Sequence, residues 1–337
     1  MDYVKLGRSG MDVSKICLGC MSFGSAESGF GKWLLNETDS HDIIKRALDL
    51  GINFFDTANC YGYGTSEAYL GRSLKKLAHR DEIVVATKVF IPMNDKPNGS
   101  GLSRKAIMSE IDNSLKRLDM DYVDLYIIHR WDYNTPIEET MTALHDVVKA
   151  GKARYIGASS MFAWQFSKAQ FTAEKHGLTQ FISMQNHYNL MYREEEREMM
   201  PLLLDQGVAS TPYSPLASGR LSRGANADTA RTKADAMQVR KYGSTEEQDQ
   251  IIIDRVAEIA EKHGVTRTQI ALAWMLNKPP VVTPIIGATK IAHLEDSVGA
   301  IHVKLTQEEM AYLEASYIPH KMSGPLYPET DWIHGVK

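Results

Sequence analysis

Residues 123–129 read VDLYIIH, a mainly apolar run, rich in β-branched residues, that ends on an imidazole. Two runs upstream are built the same way. Residues 83–88, IVVATK, end on the ammonium of Lys88, and residues 52–61, INFFDTANCY, set Asp56 at the end of an apolar stretch with Tyr61 on the loop beyond it. Short runs of this kind read as buried strands. A carboxylate, a phenol, an ammonium and an imidazole placed where successive strands stop point to an assembled proton-transfer site.

Working outward, KICLG (15–19), ARYIGAS (153–159), FISMQ (181–185), GVASTPY (207–213) and VTPIIG (282–287) bring the series to eight strands. Helix-period segments alternate with them: 39–50, 65–77, 103–118, 136–150, 162–177 and 194–207. The strand-end residues Asp56, Lys88, His129, Ser159, Gln185 and Tyr213 follow one another at intervals of 26 to 41 residues, each about one strand–helix unit. Strands joined by helical crossovers imply a parallel sheet, and right-handed crossovers close it into a (β/α)8 TIM barrel. A doubly wound sheet would carry a G-x-G-x-x-G between its first strand and helix, and none is present. A hairpin from YVKLG and MDVSK precedes the first strand. The longer step from Tyr213 to Gly287 predicts an insertion: a mobile, polar excursion over 218–247, then helices over 247–263 and 267–277. A helix over 306–317 and an aromatic tail through Trp332 follow. No linker or shift in composition divides the chain, so 1–337 reads as one domain.

With 337 residues, of which 43% are hydrophobic, the chain can bury a large core. Its net charge of -4 and pI of about 6.3 give no basic face for nucleic acid or anionic membranes, which leaves small-molecule partners. No charged-then-apolar leader and no apolar run of about 20 residues is present, so the expectation is a soluble, cytoplasmic protein. Cys17 and Cys20 form a C-x-x-C, but on a strand residues three apart face opposite ways, and packing is expected rather than redox or metal chemistry. No other cluster has metal-ligand spacing.

Each strand-end residue has an ordinary structural use on its own. Asp56 would cap a turn, Lys88 would snorkel to solvent, and His129 would be a satisfied polar group. Independent uses do not predict four complementary groups on consecutive units. In a barrel they converge at the C-terminal rim. There an ammonium beside Tyr61 is expected to lower the phenol's pKa, Asp56 to hold Lys88 charged, and a neutral His129 to donate to a substrate oxygen.

DTANCYGYGTSE, ATKVF, IIHRWD, GASSM, SMQNHYN and PYSPLASGRL together resemble the aldo-keto reductase superfamily from Val4 to about Tyr317. The run DYVDLYIIHRWDYNTPIEETM with VVKAGKARYIGASS is similar to its aryl-alcohol-dehydrogenase-like branch, particularly the bacterial YajO group. The resemblance implies a reversible NADPH-dependent reductase of aldehydes and ketones, with NADH the lesser cofactor, and a catalytic tetrad of Asp56, Tyr61, Lys88 and His129 in which Tyr61 is the general acid. It implies that Ser159, Ser160 and Gln185 hold the nicotinamide carboxamide, with Ser160 standing where the family has Asn. Tyr213 would stack on the nicotinamide, and the stretch with Ser214, Leu216, Ser218, Gly219 and Arg220 would hold the pyrophosphate. GATKIAHLED, with Gly287, Lys290, His293 and Asp296, resembles the segment around the adenosine 2′-phosphate.

Trp33, Phe90 and Trp131 are expected to line a pocket for aryl or apolar carbonyl compounds, while Lys32 and Arg130 suit an anionic substituent. Two other uses of the barrel stay open: a cofactor-binding regulatory subunit like the potassium-channel β subunits, and a Schiff-base aldolase using Lys88.

Overall fold

Alternation along the strands sorts the interior into two cores. In the computed structural model, which describes residues 1–25, 27, 31, 33–223, 242, 245–320 and 322–324, a hairpin of β1 (Tyr3–Lys5) and β2 (Asp12–Ser14) leads into eight parallel strands. These are β3 (Cys17–Gly19), β4 (Phe54–Asp56), β5 (Val84–Val89), β6 (Val123–Ile128), β7 (Ala153–Ser159), β8 (Phe181–Gln185), β9 (Ala209–Ser210) and β10 (Ile285–Gly287), in the order β10-β3-β4-β5-β6-β7-β8-β9. Phe54, Val84, Ala86, Leu125 and Ile127 point into the barrel with Leu6 and Val13 of the hairpin segment, whereas Phe55, Val85, Tyr126 and Ile128 face the helices. The period of two carries the inward row one step further, to Asp56, Lys88 and His129.

All eight expected strands are present, and β9 and β10 are cut short by proline. Pro212 and Pro284 have no N–H for a ladder. The sheet's ends nevertheless meet: Ser210 bridges Val281, Val282 N donates to Ser210 O at 3.0 Å, and Ile285 N donates to Pro212 O at 2.8 Å. These bonds close the barrel.

Helices α1 (Glu37–Asp49), α2 (Thr65–Leu77), α3 (Arg104–Leu118), α4 (Ile137–Lys149) and α5 (Ala163–His176) surround the sheet as the periodicity predicts. The Asn36 side chain accepts from Asp39 N and Ser103 from Ala106 N, which starts α1 and α3. Gly71 lets α2 reach α3, because a Cβ there would lie 2.0 Å from Leu118 O. The single helix expected over 194–207 is instead a 3-10 turn, Glu194–Glu196, followed by α6 (Met199–Gln206). Pro201 is the cause. Its ring would clash with the carbonyl of Arg197 in a continuous helix, and it is tolerated in a new first turn.

A short helix α7 (Arg220–Arg223) leads to the excursion expected over 218–247, which lies largely outside the described residues, as do Lys32 and the tail through Trp332. The expected α8 (Glu246–His263), α9 (Arg267–Leu276) and C-terminal α11 (Gln307–Glu314) form; α10 (Ile291–Gly299) was not foreseen. Cys17 belongs to the inner core and Cys20 to the outer one, which is the opposed placement expected of packing cysteines. Among the described residues no helix is long and apolar enough to cross a membrane.

Candidate active site

The strand ends bring Asp56, Lys88, His129 and Tyr61 together at the C-terminal mouth. Lys88 is fully buried and Asp56 nearly so; the ammonium donates to Asp56 Oδ1 at 2.5 Å, to Thr57 O at 2.8 Å and to the Tyr61 hydroxyl at 3.4 Å. Gln185, from across the barrel, donates through Nε2 to Asp56 Oδ2 at 2.9 Å. Both carboxylate oxygens are therefore engaged. The His129 and Tyr61 rings meet edge to face at 5.9 Å, so the imidazole shares the phenol's cavity.

Electrostatics corrects one expectation here. Burial pushes the Tyr61 phenol up to about 12; the Lys88 charge pulls it down and is outweighed. The phenol stays protonated at neutral pH. Burial also works against the Lys88 ammonium, but Asp56 and Tyr61 reverse the balance and raise its pKa. For His129, burial and then the charges of Lys88 and Arg130 all disfavour the imidazolium, and its pKa falls well below the ordinary range. A protonated phenol, a charged lysine and a neutral imidazole thus meet at one mouth, the lysine and imidazole set by strand alternation and the phenol by the turn Tyr61–Gly64 after β4.

The other side of the same mouth carries Ser159, Ser160 and Tyr213. Ser159 Oγ donates to Gln185 O at 2.9 Å, and Ser160, in the left-handed region with φ of 50°, donates to the Tyr213 hydroxyl at 3.3 Å. One face of the Tyr213 ring is covered by His187, centroids 5.4 Å apart and 14° from parallel, and His187 lies in turn on Tyr192 at 4.3 Å. His187 bonds Ser323 through Nδ1 and Tyr242 through Nε2, each at 2.7 Å. The carboxylate of Glu195 takes Asn186 Nδ2 at 2.9 Å beside this stack; burial pushes its pKa up to about 7. None of this support was foreseen, although SMQNHYNLMY sets its aromatic residues directly after β8 and offered the signal.

Beyond Tyr213, Ser214, Ala217 and Ser218 have φ of 55°, 47° and 59°, and Gly219 follows at 95°. Left-handed non-glycine residues cost about 1–3 kcal/mol each and gather at functional sites. Leu216, with φ of -102° and ψ of 18°, separates Ser214 from the other three, and Ala217 N and Gly219 N donate to Ser214 O and Leu216 O as the loop turns into α7. Arg220 is committed to Glu246 at 3.1 Å. Lys290 is exposed at the start of α10, and both it and Arg223 act on His293, whose pKa falls mainly through burial. Arg223 was not foreseen there. Asp296 is spent on Thr266 Oγ1 at 2.7 Å and Gln269 at 3.0 Å, and Gly287 meets only open space. Of the expected pocket residues, Trp33 and Phe90 are half-buried, whereas Trp131 is 7% exposed and packs on Trp164 at 5.8 Å.

Comparison with known proteins bears on this geometry. A family model described as the aldo/keto reductase family matches residues 15–318. The chain belongs to the aldo/keto reductase family. Members of the family use nicotinamide cofactors, and this chain is an oxidoreductase acting between carbonyl and alcohol groups. It is 44% identical over 339 residues to versiconal hemiacetal acetate reductase of Aspergillus parasiticus, covering 95% of this chain and 98% of that one. A Schizosaccharomyces pombe protein with a provisional aryl-alcohol dehydrogenase name is 43% identical over 350 residues, at 96% and 98% coverage. An aldo-keto reductase of Metarhizium robertsii is 41% identical over 351 residues, at 96% and 93%.

Proposed function

We propose that this single barrel domain is an NADPH-dependent reductase of aldehydes and ketones in which Tyr61 delivers a proton to the carbonyl oxygen. The observation that carries the reading is the hydrogen-bonded chain from Gln185 through Asp56 and Lys88 to Tyr61, with a neutral His129 against the same phenol.

The residues present suit a nicotinamide coenzyme. Tyr213 is backed by His187 on one face, Ser159, Ser160 and Gln185 bring hydroxyl and amide groups to the same rim, and the left-handed loop after Tyr213 fits a pyrophosphate. Lys290 and Arg223 supply cations toward an adenosine 2′-phosphate, which favours NADPH over NADH. The bound coenzyme would supply the hydride.

What the chain itself does follows from its charges. Tyr61 enters protonated and is therefore a proton donor in the reducing direction. As its proton leaves, the Lys88 ammonium offsets the growing phenolate charge in a dry site. Asp56, fixed by Gln185, holds that ammonium in place. His129 turns Nδ1 toward Cys60 Sγ at 4.0 Å, which leaves Nε2 to donate to the carbonyl oxygen and orient it. A Schiff-base role for Lys88 is disfavoured, because it needs a neutral amine and Asp56 keeps this one charged.

Aryl and apolar carbonyl compounds suit the half-buried Trp33 and Phe90, and the aryl-alcohol dehydrogenase name of the S. pombe relative supports that class. Three free buried thiols fit a reducing, cytoplasmic setting. The test is NADPH oxidation at 340 nm over a panel of aromatic and sugar aldehydes, with NADH in parallel. Turnover of aryl aldehydes with NADPH preferred is expected; tight NADPH binding without turnover of any aldehyde would favour a regulatory subunit.

A further inference from the structure

Arg130 follows His129 at the rim where β6 ends. Its Nη1 donates to the His129 carbonyl at 2.6 Å, which folds the half-buried guanidinium back over the strand end. Arg80, Arg117, Arg193 and Arg220 are half-buried too, and each holds a carboxylate: Asp124, Glu67, Glu196 with Glu314, and Glu246. Among the described residues no carboxylate pairs with Arg130.

Two acidic groups close to it in the chain or at the mouth, Asp132 and Asp56, are committed elsewhere. Asp132, two residues on, accepts from Leu102 N at 2.7 Å, Asn134 N at 2.9 Å and Thr135 Oγ1 at 2.8 Å. Asp56 is held by Lys88 and Gln185. The hydrogen bond to the His129 carbonyl holds the guanidinium at the strand end beside the tetrad, and its charge acts on His129, Tyr213 and Cys60. A half-buried arginine that, among the described residues, spends Nη1 on a carbonyl and pairs with no carboxylate is a ready fork for an oxyanion. The loop after Tyr213 and the cations near His293 already provide for a coenzyme's phosphates at other places.

We propose that Arg130 recognises a carboxylate on the substrate, so that the preferred carbonyl compounds are aldehydes or ketones that also carry an acid group. This rests on the reductase reading above and adds a specificity to it. The next residue, Trp131, packs on Trp164, which is 49% exposed, so apolar ring surface follows Arg130 along the chain.

The test compares kcat/KM for 4-carboxybenzaldehyde and 4-methylbenzaldehyde with saturating NADPH. The unaltered protein is expected to favour the acid by about tenfold or more, Arg130→Met to bring the ratio toward one, and Arg130→Lys to keep part of it, since an ammonium lacks the planar fork. Arg130→Gln, which retains an amide donor for the His129 carbonyl, replaces Arg130→Met if that variant does not fold. The NADPH dissociation constant is read alongside by fluorescence. A ratio near one in the unaltered protein, or a ratio that survives loss of the guanidinium, overturns the inference. A weaker NADPH affinity with the ratio intact would assign Arg130 to the coenzyme and overturn it as well. Absence of turnover with both aldehydes removes the reductase reading itself, whereas turnover of the methyl compound without preference for the acid removes only this addition.

Discussion

The two ends of the barrel interior are made by the same strands and differ completely in chemistry. At the lower end Phe54, Ala86 and Ile127 pack with Leu6 and Val13; two residues along each strand, Asp56, Lys88 and His129 occupy equivalent inward positions at the mouth. Both layers are buried. Burial of the lower layer stabilises the fold by about 25 cal/mol per Å² of apolar surface, while burial of the upper layer opposes every charge in it. The mouth is tolerated because Lys88 and Asp56 neutralise one another and Gln185 completes the carboxylate's bonds. A barrel thus confines its costly groups to one layer and rests them on an apolar plug.

The largest separation between the layers is expected at Lys88. Lys88→Met leaves Asp56 buried without its partner, which costs on the order of 3–5 kcal/mol, and turnover falls by roughly 10²–10⁴-fold with the proton donor's partner gone. Adding Asp56→Asn is expected to restore much of the stability and none of the turnover. Denaturant midpoints and NADPH-linked rates on the single and double variants give both numbers; recovered turnover in the double variant would break the distinction between the layers. In the lower layer, Leu125→Ala removes a fully buried side chain and is expected to cost about 2–5 kcal/mol, with turnover per folded molecule little altered.

A smaller, pH-dependent effect is expected beside the Tyr213 rim. Glu195 has its pKa raised from 4.5 to about 7, so its contribution to stability is fully present at acid pH and is lost as pH rises to about 7. Glu195→Gln does not titrate. Measured against it, the unaltered protein is expected to lose up to about 3 kcal/mol between pH 4.5 and 8, and parallel stability curves would show that Glu195 is not shielded as the geometry indicates.

How far these features can be read from sequence follows the same division. The alternation in IVVATK and VDLYIIH places Lys88 and His129 in the inward row, so their convergence with Asp56 is legible before any coordinates. The helix start at Ser103 is legible from its capping side chain, whereas α1 begins at Glu37, ahead of the expected 39, because Asn36 caps it. The break at Pro201 was also visible in principle, but a run of helix-forming Glu, Met and Leu around it outweighed a single proline. The sign of the Tyr61 shift was not legible, because it depends on whether desolvation or the Lys88 charge wins and only the packed depth decides that. Nor was the bond from Gln185 to Asp56, which joins residues 129 positions apart across the barrel. The Tyr192, His187 and Tyr213 stack belongs to the same class: three rings from two loops, aligned only by the closed sheet.

The central claim, that Tyr61 is the proton donor set by this layer, is tested most directly by Tyr61→Phe. The variant keeps the ring against His129 and removes the one hydroxyl that Lys88 meets at 3.4 Å. With NADPH affinity measured by fluorescence and aldehyde reduction by absorbance, affinity is expected to stay within a few-fold and kcat to fall by about 10²-fold or more. A variant that binds NADPH normally and reduces aldehydes at close to the unaltered rate would contradict the account.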